Sequence, residues 1–224
     1  MARPNTLSRQ DWENIDAILL DMDGTLLDLS FDNHFWQTAV PELYAEEKGI
    51  SLEDSHQYLG ECYDEFSGTL NWYCTDFWSE KLGIDIIQHK SGMAHHISLR
   101  PGTKEFLEKV SSLQKQIVLV TNAHPETLRV KLEKTSIDQY FDRLYSSHQF
   151  NQPKESAGFW QQLEQDLTIP LHRCLFIDDT ENILMRAKQS GVKYVVMVEQ
   201  PDMTRPARGS KHFPTLNRLT ELLK

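Results

Sequence analysis

Cysteine is scarce: the sequence holds three, Cys62, Cys74 and Cys174, too few for a disulfide framework and too scattered for a C-x-x-C metal pair. They read as small buried apolar residues in a reducing compartment. Long apolar runs are missing too, since none approaches the ~20 residues that cross a bilayer. The amino-terminal Met1-Ala2-Arg3-Pro4-Asn5-Thr6 passes into the polar Ser8-Arg9-Gln10-Asp11-Trp12-Glu13-Asn14 without the apolar core of a secretory signal, so a cytoplasmic protein is expected. Positive charge is short. The 23 Lys and Arg against 33 Asp and Glu leave −10 with His neutral, which argues against nucleic acid or an anionic membrane as partner. What is present, 39% apolar and 25% charged residues in 224, is the composition of a globular chain of one domain plus a modest insertion, at about 150 residues per domain.

Four short apolar runs read as strands covered on both faces: Ala17-Ile18-Leu19-Leu20-Asp21, Ile117-Val118-Leu119-Val120-Thr121, Leu175-Phe176-Ile177-Asp178 and Tyr194-Val195-Val196-Met197-Val198. A weaker strand lies near Leu144-Tyr145-Ser146. Between them helices are legible: one opened by Pro101 with Phe106, Leu107, Val110 and Leu113 on one face, and one opened by Pro125 carrying Leu128 and Leu132. Another follows Lys154 with Phe159, Trp160, Leu163 and Leu167, and the next, with Ile183, Leu184 and Ala187, is closed by Gly191. The pattern predicts an α/β fold, a doubly wound parallel-sheet (Rossmann-like) core. Residues 29–96 break it with helical periodicity alone, including a Ser51-x-x-Asp54 cap and a stripe of Tyr58, Cys62 and Phe66. They are expected to form an inserted all-helical cap domain, with residues 1–28 and 97–224 forming the core. Residues 31–78 hold eleven of the 22 aromatics, for which packing of a small core is the plainest use. Pro201 to Pro214 reads as a surface loop before a short terminal helix around Leu216 to Leu223.

The chemistry-bearing residues stand at strand ends. Asp21-Met22-Asp23-Gly24-Thr25 closes the first strand with two carboxylates projecting to one side, at the edge where open α/β sheets bind ligands. Such a pair repels unless a cation lies between or one acid holds a proton. Both conditions suit phosphoryl transfer, in which one Asp attacks phosphorus and the other shuttles a proton. An isolated D-x-D-G is otherwise a solvated turn. Three further positions add weight: Thr121-Asn122 ends the second strand before a helix, Lys154 opens a helix where the dipole opposes a cation, and Asp178-Asp179 ends the third strand with hard oxygen ligands. Asp179 or Thr180 would also serve as an ordinary helix cap.

D-x-D-G-T, a strand-terminal Thr, a Lys and D-D, in that order over Asp21 to Asp179, resemble the haloacid dehalogenase superfamily of aspartate-nucleophile phosphatases. The resemblance implies Asp21 as nucleophile and Asp23 as general acid and base. It implies Thr121, Asn122 and Lys154 on the phosphoryl oxygens, Mg²⁺ on Asp21, Asp23 and Asp178 with Mn²⁺ or Co²⁺ as substitutes, and Asp179 in support. It also implies a helical cap that selects substrate. Leu26-Leu27-Asp28-Leu29, Phe31-Asp32-Asn33, Phe35-Trp36, Leu70-Asn71-Trp72-Tyr73-Cys74, Thr121-Asn122-Ala123-His124-Pro125 and Pro153-Lys154-Glu155 are similar to the GMP/IMP nucleotidase branch. That likeness implies a small phosphomonoester, GMP or IMP, as partner. Asn33, His34, Trp36, Asn71 and Trp72 are the cap residues placed to meet a purine. A phosphatase of phosphoglycolate or sugar phosphates is the alternative enzyme. A silent binder of phosphorylated ligands is the alternative of another class, and a monomer or weak homo-oligomer is expected.

Overall fold

In the computed structural model, which describes residues 7–223, the apolar runs become a six-stranded parallel sheet. Its strands are β1 (Ala17–Leu20), β2 (Gln116–Thr121), β3 (Arg143–Ser146), β4 (Cys174–Asp178), β5 (Tyr194–Val198) and β6 (Thr215–Leu216), in spatial order β3-β2-β1-β4-β5-β6. The order reverses at β1, whose neighbours are β2 and β4. Ligands bind at the carboxyl ends of strands at such a switch point. The helices are α1 (Arg9–Asn14), α2 (Ser30–His34), α3 (Val40–Lys48), α4 (Leu52–Phe66), α5 (Thr75–Leu82), α6 (Ile86–Gly92), α7 (Thr103–Val110), α8 (Pro125–Thr135), α9 (Ala157–Leu167) and α10 (Glu181–Gln189).

Alternation along each strand divides the sheet into two apolar faces. Ile18, Leu20, Ile117, Leu119, Leu175 and Ile177 pack with Phe106, Leu107, Val110 and Val130 of α7 and α8. Ala17, Leu19, Val118, Val120 and Phe176 pack with Phe159, Trp160, Leu163, Ile183 and Leu184 of α9 and α10. Each fully buried Leu or Ile contributes roughly 1.5–3 kcal/mol. The sheet is thus a stiff base for whatever its edge carries.

Among the described residues the stretch 29–96 holds no strand and has a core of its own, built on Phe35, Val40, Leu59, Trp78, Leu82 and Ile86. Chain entering and leaving it is paired: Leu27 bridges Leu99, Asp28 N–H donates to Ser98 at 2.9 Å, and Arg100 N–H donates to Leu26 at 2.9 Å. A π-helical turn over Phe35–Ala39 joins α2 to α3.

Four local readings of the sequence are corrected. Pro101 lies in a turn, and α7 starts at Thr103 behind Gly102, whose φ is +84°; Leu113 is past the helix end and exposed. The buried stripe of α4 is Ser55, Leu59 and Cys62, with Tyr58 at its exposed margin. On α8 the buried face is Thr127, Val130 and Lys131 rather than Leu128 and Leu132, which are partly covered. The carboxyl-terminal helix is a 3₁₀ turn over Leu219–Leu223, preceded by β6, an edge strand of two residues too short to show a period. The amino-terminal residues 1–6 lie outside the described residues.

Candidate active site

Parallel pairing of β1 with β4 sets the carboxyl ends of the two strands side by side, so Asp21 and Asp178 become neighbours. Lys154, from the loop before α9, lies between them: its Nζ is 2.6 Å from Asp21 Oδ1 and 2.7 Å from Asp178 Oδ2. All three are buried. Burial works against the Lys154 charge, but Asp178 and Asp21 outweigh it and hold the ammonium above the usual lysine range. Burial pushes the Asp21 carboxyl well above its ordinary value against the pull of Lys154. Asp179 is pushed up to about 7 by burial and by Asp178, while Arg208 pairs with its Oδ2 at 3.1 Å.

Gly24 makes this crowding possible. Its φ is +87°, and a Cβ there would lie 2.8 Å from Asp179 Cγ and 2.8 Å from Pro201 Cβ. A side chain at this position would push Asp179 out of place.

The donor set fits a hard divalent cation. Carboxylate oxygens of Asp21, Asp178 and Asp179 lie within 4.8 Å of one another, and Asp21 Oδ2 is buried with no hydrogen-bond partner. Five aspartates and three lysines line the cavity above, so a dianionic phosphate entering it needs further positive charge.

A second lysine repeats the motif. Lys131, buried on α8, places its Nζ 2.6 Å from Asp23 Oδ1 and 2.7 Å from Asp32 Oδ2, and Lys90 of α6 meets the other Asp32 oxygen at 2.8 Å. Burial raises the Asp23 carboxyl despite Lys131, with Asp32 adding to the effect. For Asp32 burial loses to Lys131 and Lys90, which hold it at about 2. Lys90 is further bounded by the rings of Phe35 and Trp36, 5.1 and 5.5 Å away. Neither lysine was singled out in the sequence. The one signal for Lys131 is a charged residue one position off the Leu128 and Leu132 stripe of α8, whose buried face is Thr127, Val130 and Lys131.

Thr121 ends β2 beside Asp21; its hydroxyl accepts from Ala123 N–H at 3.0 Å and keeps its own proton to donate. Asn122 follows in the cavity lining, with its side chain engaged elsewhere. Its Oδ1 accepts from Lys154 N–H at 2.9 Å and its Nδ2 donates to Glu155 at 3.1 Å, so the amide is consumed in holding the Lys154 loop. Glu155 also receives Tyr73 O–H at 2.6 Å, which fastens the helical insert to this loop.

A cavity of about 340 Å³ stands over these groups. That is a size typical of small-molecule sites. Asn33, Trp36, Gln37, Tyr63, Trp72 and Tyr73 form part of its wall. Asn33 is half committed, donating to Asp202 at 2.7 Å. The expectation fails for His34 and Asn71, which are exposed and outside the cavity. Phe31 and Phe35 take the inward face of their helical stretch, leaving His34 outside near His96, and Asn71 opens a 3₁₀ turn at the surface. Trp78, fully buried among Trp36, Tyr63 and Trp72, is mainly a core residue.

The family model of haloacid dehalogenase-like hydrolases matches residues 15–191. The chain belongs to that family. It is 42% identical over 212 residues to GMP/IMP nucleotidase YrfG of Escherichia coli (strain K12), covering 95% of this chain and 96% of that one. It is 21% identical over 214 residues to the phosphoglycolate phosphatase of Pseudomonas fluorescens (strain Pf0-1), covering 89% and 74%. A solved phosphatase of the family from Thermococcus onnurineus superposes with a TM-score of 0.79 at 20% identity, over 93% of this chain and 96% of that one. This haloacid dehalogenase-like hydrolase has no described helix long and apolar enough to cross a membrane.

Proposed function

We propose that this hydrolase is a Mg²⁺-dependent phosphatase of purine 5′-mononucleotides, acting through an aspartyl phosphate on Asp21. The observation that carries the chemistry is Lys154 bridging Asp21 and Asp178, with the second oxygen of Asp21 buried and unpartnered. A nucleophile so placed is held in one orientation, and its free oxygen has nothing in the protein to satisfy it. Asp21, Asp178 and the Asp23 carbonyl would hold the ion, with Asp179 in support; bound there, it would neutralise phosphoryl charge and orient the phosphate.

Asp21 attacks phosphorus as Asp23 gives its proton to the departing ribose oxygen, releasing the nucleoside. Asp23, now a carboxylate, takes a proton from water, whose oxygen displaces Asp21 from phosphorus. Phosphate leaves and both aspartates return to their starting states. The raised affinity of Asp23 for its proton suits the first step, and Lys131 fixes the carboxyl that must face the leaving oxygen. Lys154 and the Thr121 hydroxyl serve the phosphoryl oxygens.

The purine assignment is supported by the 42% identity to a GMP/IMP nucleotidase across nearly the whole chain, and by flat rings at Trp36 and Trp72 on the cavity wall. Phosphate release is to be measured with Mg²⁺ over GMP, IMP, AMP, pyrimidine monophosphates, phosphoglycolate and sugar phosphates, with Asp21→Asn as the blank. The expected result is kcat/KM highest for GMP and IMP and no turnover above background in Asp21→Asn. A preference for phosphoglycolate would keep the chemistry and overturn the substrate.

A further inference from the structure

Beside the cavity, on the side where the helical insert meets the loops after β2 and β3, lies a cluster with different chemistry from the aspartates. Cys74, His124 and His148 each offer one donor atom, and the three atoms lie within 4.8 Å of one another. Cys74 belongs to the insert and caps α5, His124 stands just before α8, and His148 sits in the 3₁₀ turn Ser147–Phe150. His124 borders the cavity; Cys74 and His148 do not.

From this geometry we infer a second metal site, for a borderline-soft divalent ion such as Zn²⁺, that ties the helical insert to the core. Thiolate and imidazole select such ions over Mg²⁺, and three protein ligands of this kind plus one further group complete a tetrahedron. Water would be that group; the Asp76 carboxylate, on an exposed side chain 3.6 Å from His124 Nε2, lies at the margin of the cluster. His148 supplies an independent sign: its Nε2 is buried without a hydrogen-bond partner, an arrangement that costs stability unless something binds there. The Thr75 hydroxyl meets His124 Nδ1 at 2.9 Å and holds that ring in place, as outer partners of metal-bound histidines do. On binding, the Cys74 thiol would lose its proton to solvent, and its sulfur and the two imidazole nitrogens would replace waters bound to the ion, with no change of oxidation state.

The site joins parts that a hinged insert would separate. Cys74 follows Trp72 and Tyr73 of the cavity wall, while His124 follows the Thr121-Asn122 segment of the floor. An ion there clamps wall to floor. The inference is independent of which phosphomonoester is the substrate.

The test is a Co²⁺ titration of the whole protein in saturating Mg²⁺, followed by displacement with Zn²⁺. The wild type is expected to show thiolate-to-cobalt charge-transfer absorption with tetrahedral visible bands, reaching one equivalent and abolished by Zn²⁺. Cys74→Ser retains a helix-capping oxygen and is expected to lose the charge-transfer band. His148→Gln is expected to weaken Zn²⁺ binding at least about tenfold, with the circular dichroism of both variants unchanged. Cys174→Ser keeps the band. No thiolate band in the wild type, or a band that survives in Cys74→Ser or binds as tightly in His148→Gln, overturns the site.

Discussion

At the sheet edge Lys154 bridges Asp21 and Asp178, and at the root of the helical insert Lys131 bridges Asp23 and Asp32, each at 2.6 and 2.7 Å. The two arrangements are alike in chemistry and differ in what they hold. The first joins residues that strand pairing has already made neighbours. The second joins the core, through Asp23, to α2 of the insert and, through Asp32, to Lys90 of α6. The first fixes Asp21, the proposed nucleophile, against rigid β-structure; the second fixes Asp23, the proposed proton donor, against a unit whose entering and leaving segments pair beside the core. Two carboxylates separated by one residue in sequence are thus held by different parts of the molecule.

Breaking the first bridge has the larger expected effect. Lys154→Met leaves Asp21 and Asp178 buried and facing each other, and kcat/KM should fall about a thousandfold or more on every substrate, whatever its leaving group. Steady-state kinetics over several phosphomonoesters checks it. The wall is expected to answer more mildly. Trp72→Ala removes one flat surface, so KM for GMP should rise about tenfold, the value of one base–aromatic stack, while inhibition by inorganic phosphate stays unchanged. Equal weakening of phosphate would assign Trp72 to packing alone.

Acid together with Asp32→Asn isolates the second bridge, because the Asp32 carboxyl is held below the ordinary value while Asp21 of the first is held above it. Asp32 is held at about 2 against an ordinary 3.8, so its contribution to folding is complete above pH 3.8 and is lost as pH falls through 2. The loss is about 2 kcal/mol. Urea melts between pH 5 and 2 should show that much acid sensitivity in the wild type beyond what Asp32→Asn retains.

What could be read from sequence follows the same division. Asp21, Thr121 and Asp178 terminate apolar strands, where alternation and chain reversal leave few places for a side chain to go, and their positions at the cavity follow from the β1–β2 and β1–β4 pairings. The parallel core was legible for that reason. Lys131 was not, because its role depends on the rotation of α8 about its axis, and a helix whose Leu128 and Leu132 are half covered offers two plausible phases. His34 and Asn71 were misplaced for a related reason: polar residues in an aromatic-rich stretch give no sign of which face the cavity takes. β6 carried no period, being two residues long.

The most direct test of the division between the two lysines compares leaving groups. In Lys131→Met, kcat/KM is to be measured with GMP, whose ribose oxygen needs a proton to depart, and with p-nitrophenyl phosphate, whose phenolate does not. The account predicts a loss of about a hundredfold on GMP and a loss of no more than a few-fold on p-nitrophenyl phosphate, with Lys154→Met impaired equally on both. Equal losses on the two substrates in Lys131→Met would contradict it, and would make Lys131 a structural tie between insert and core with no part in placing the acid.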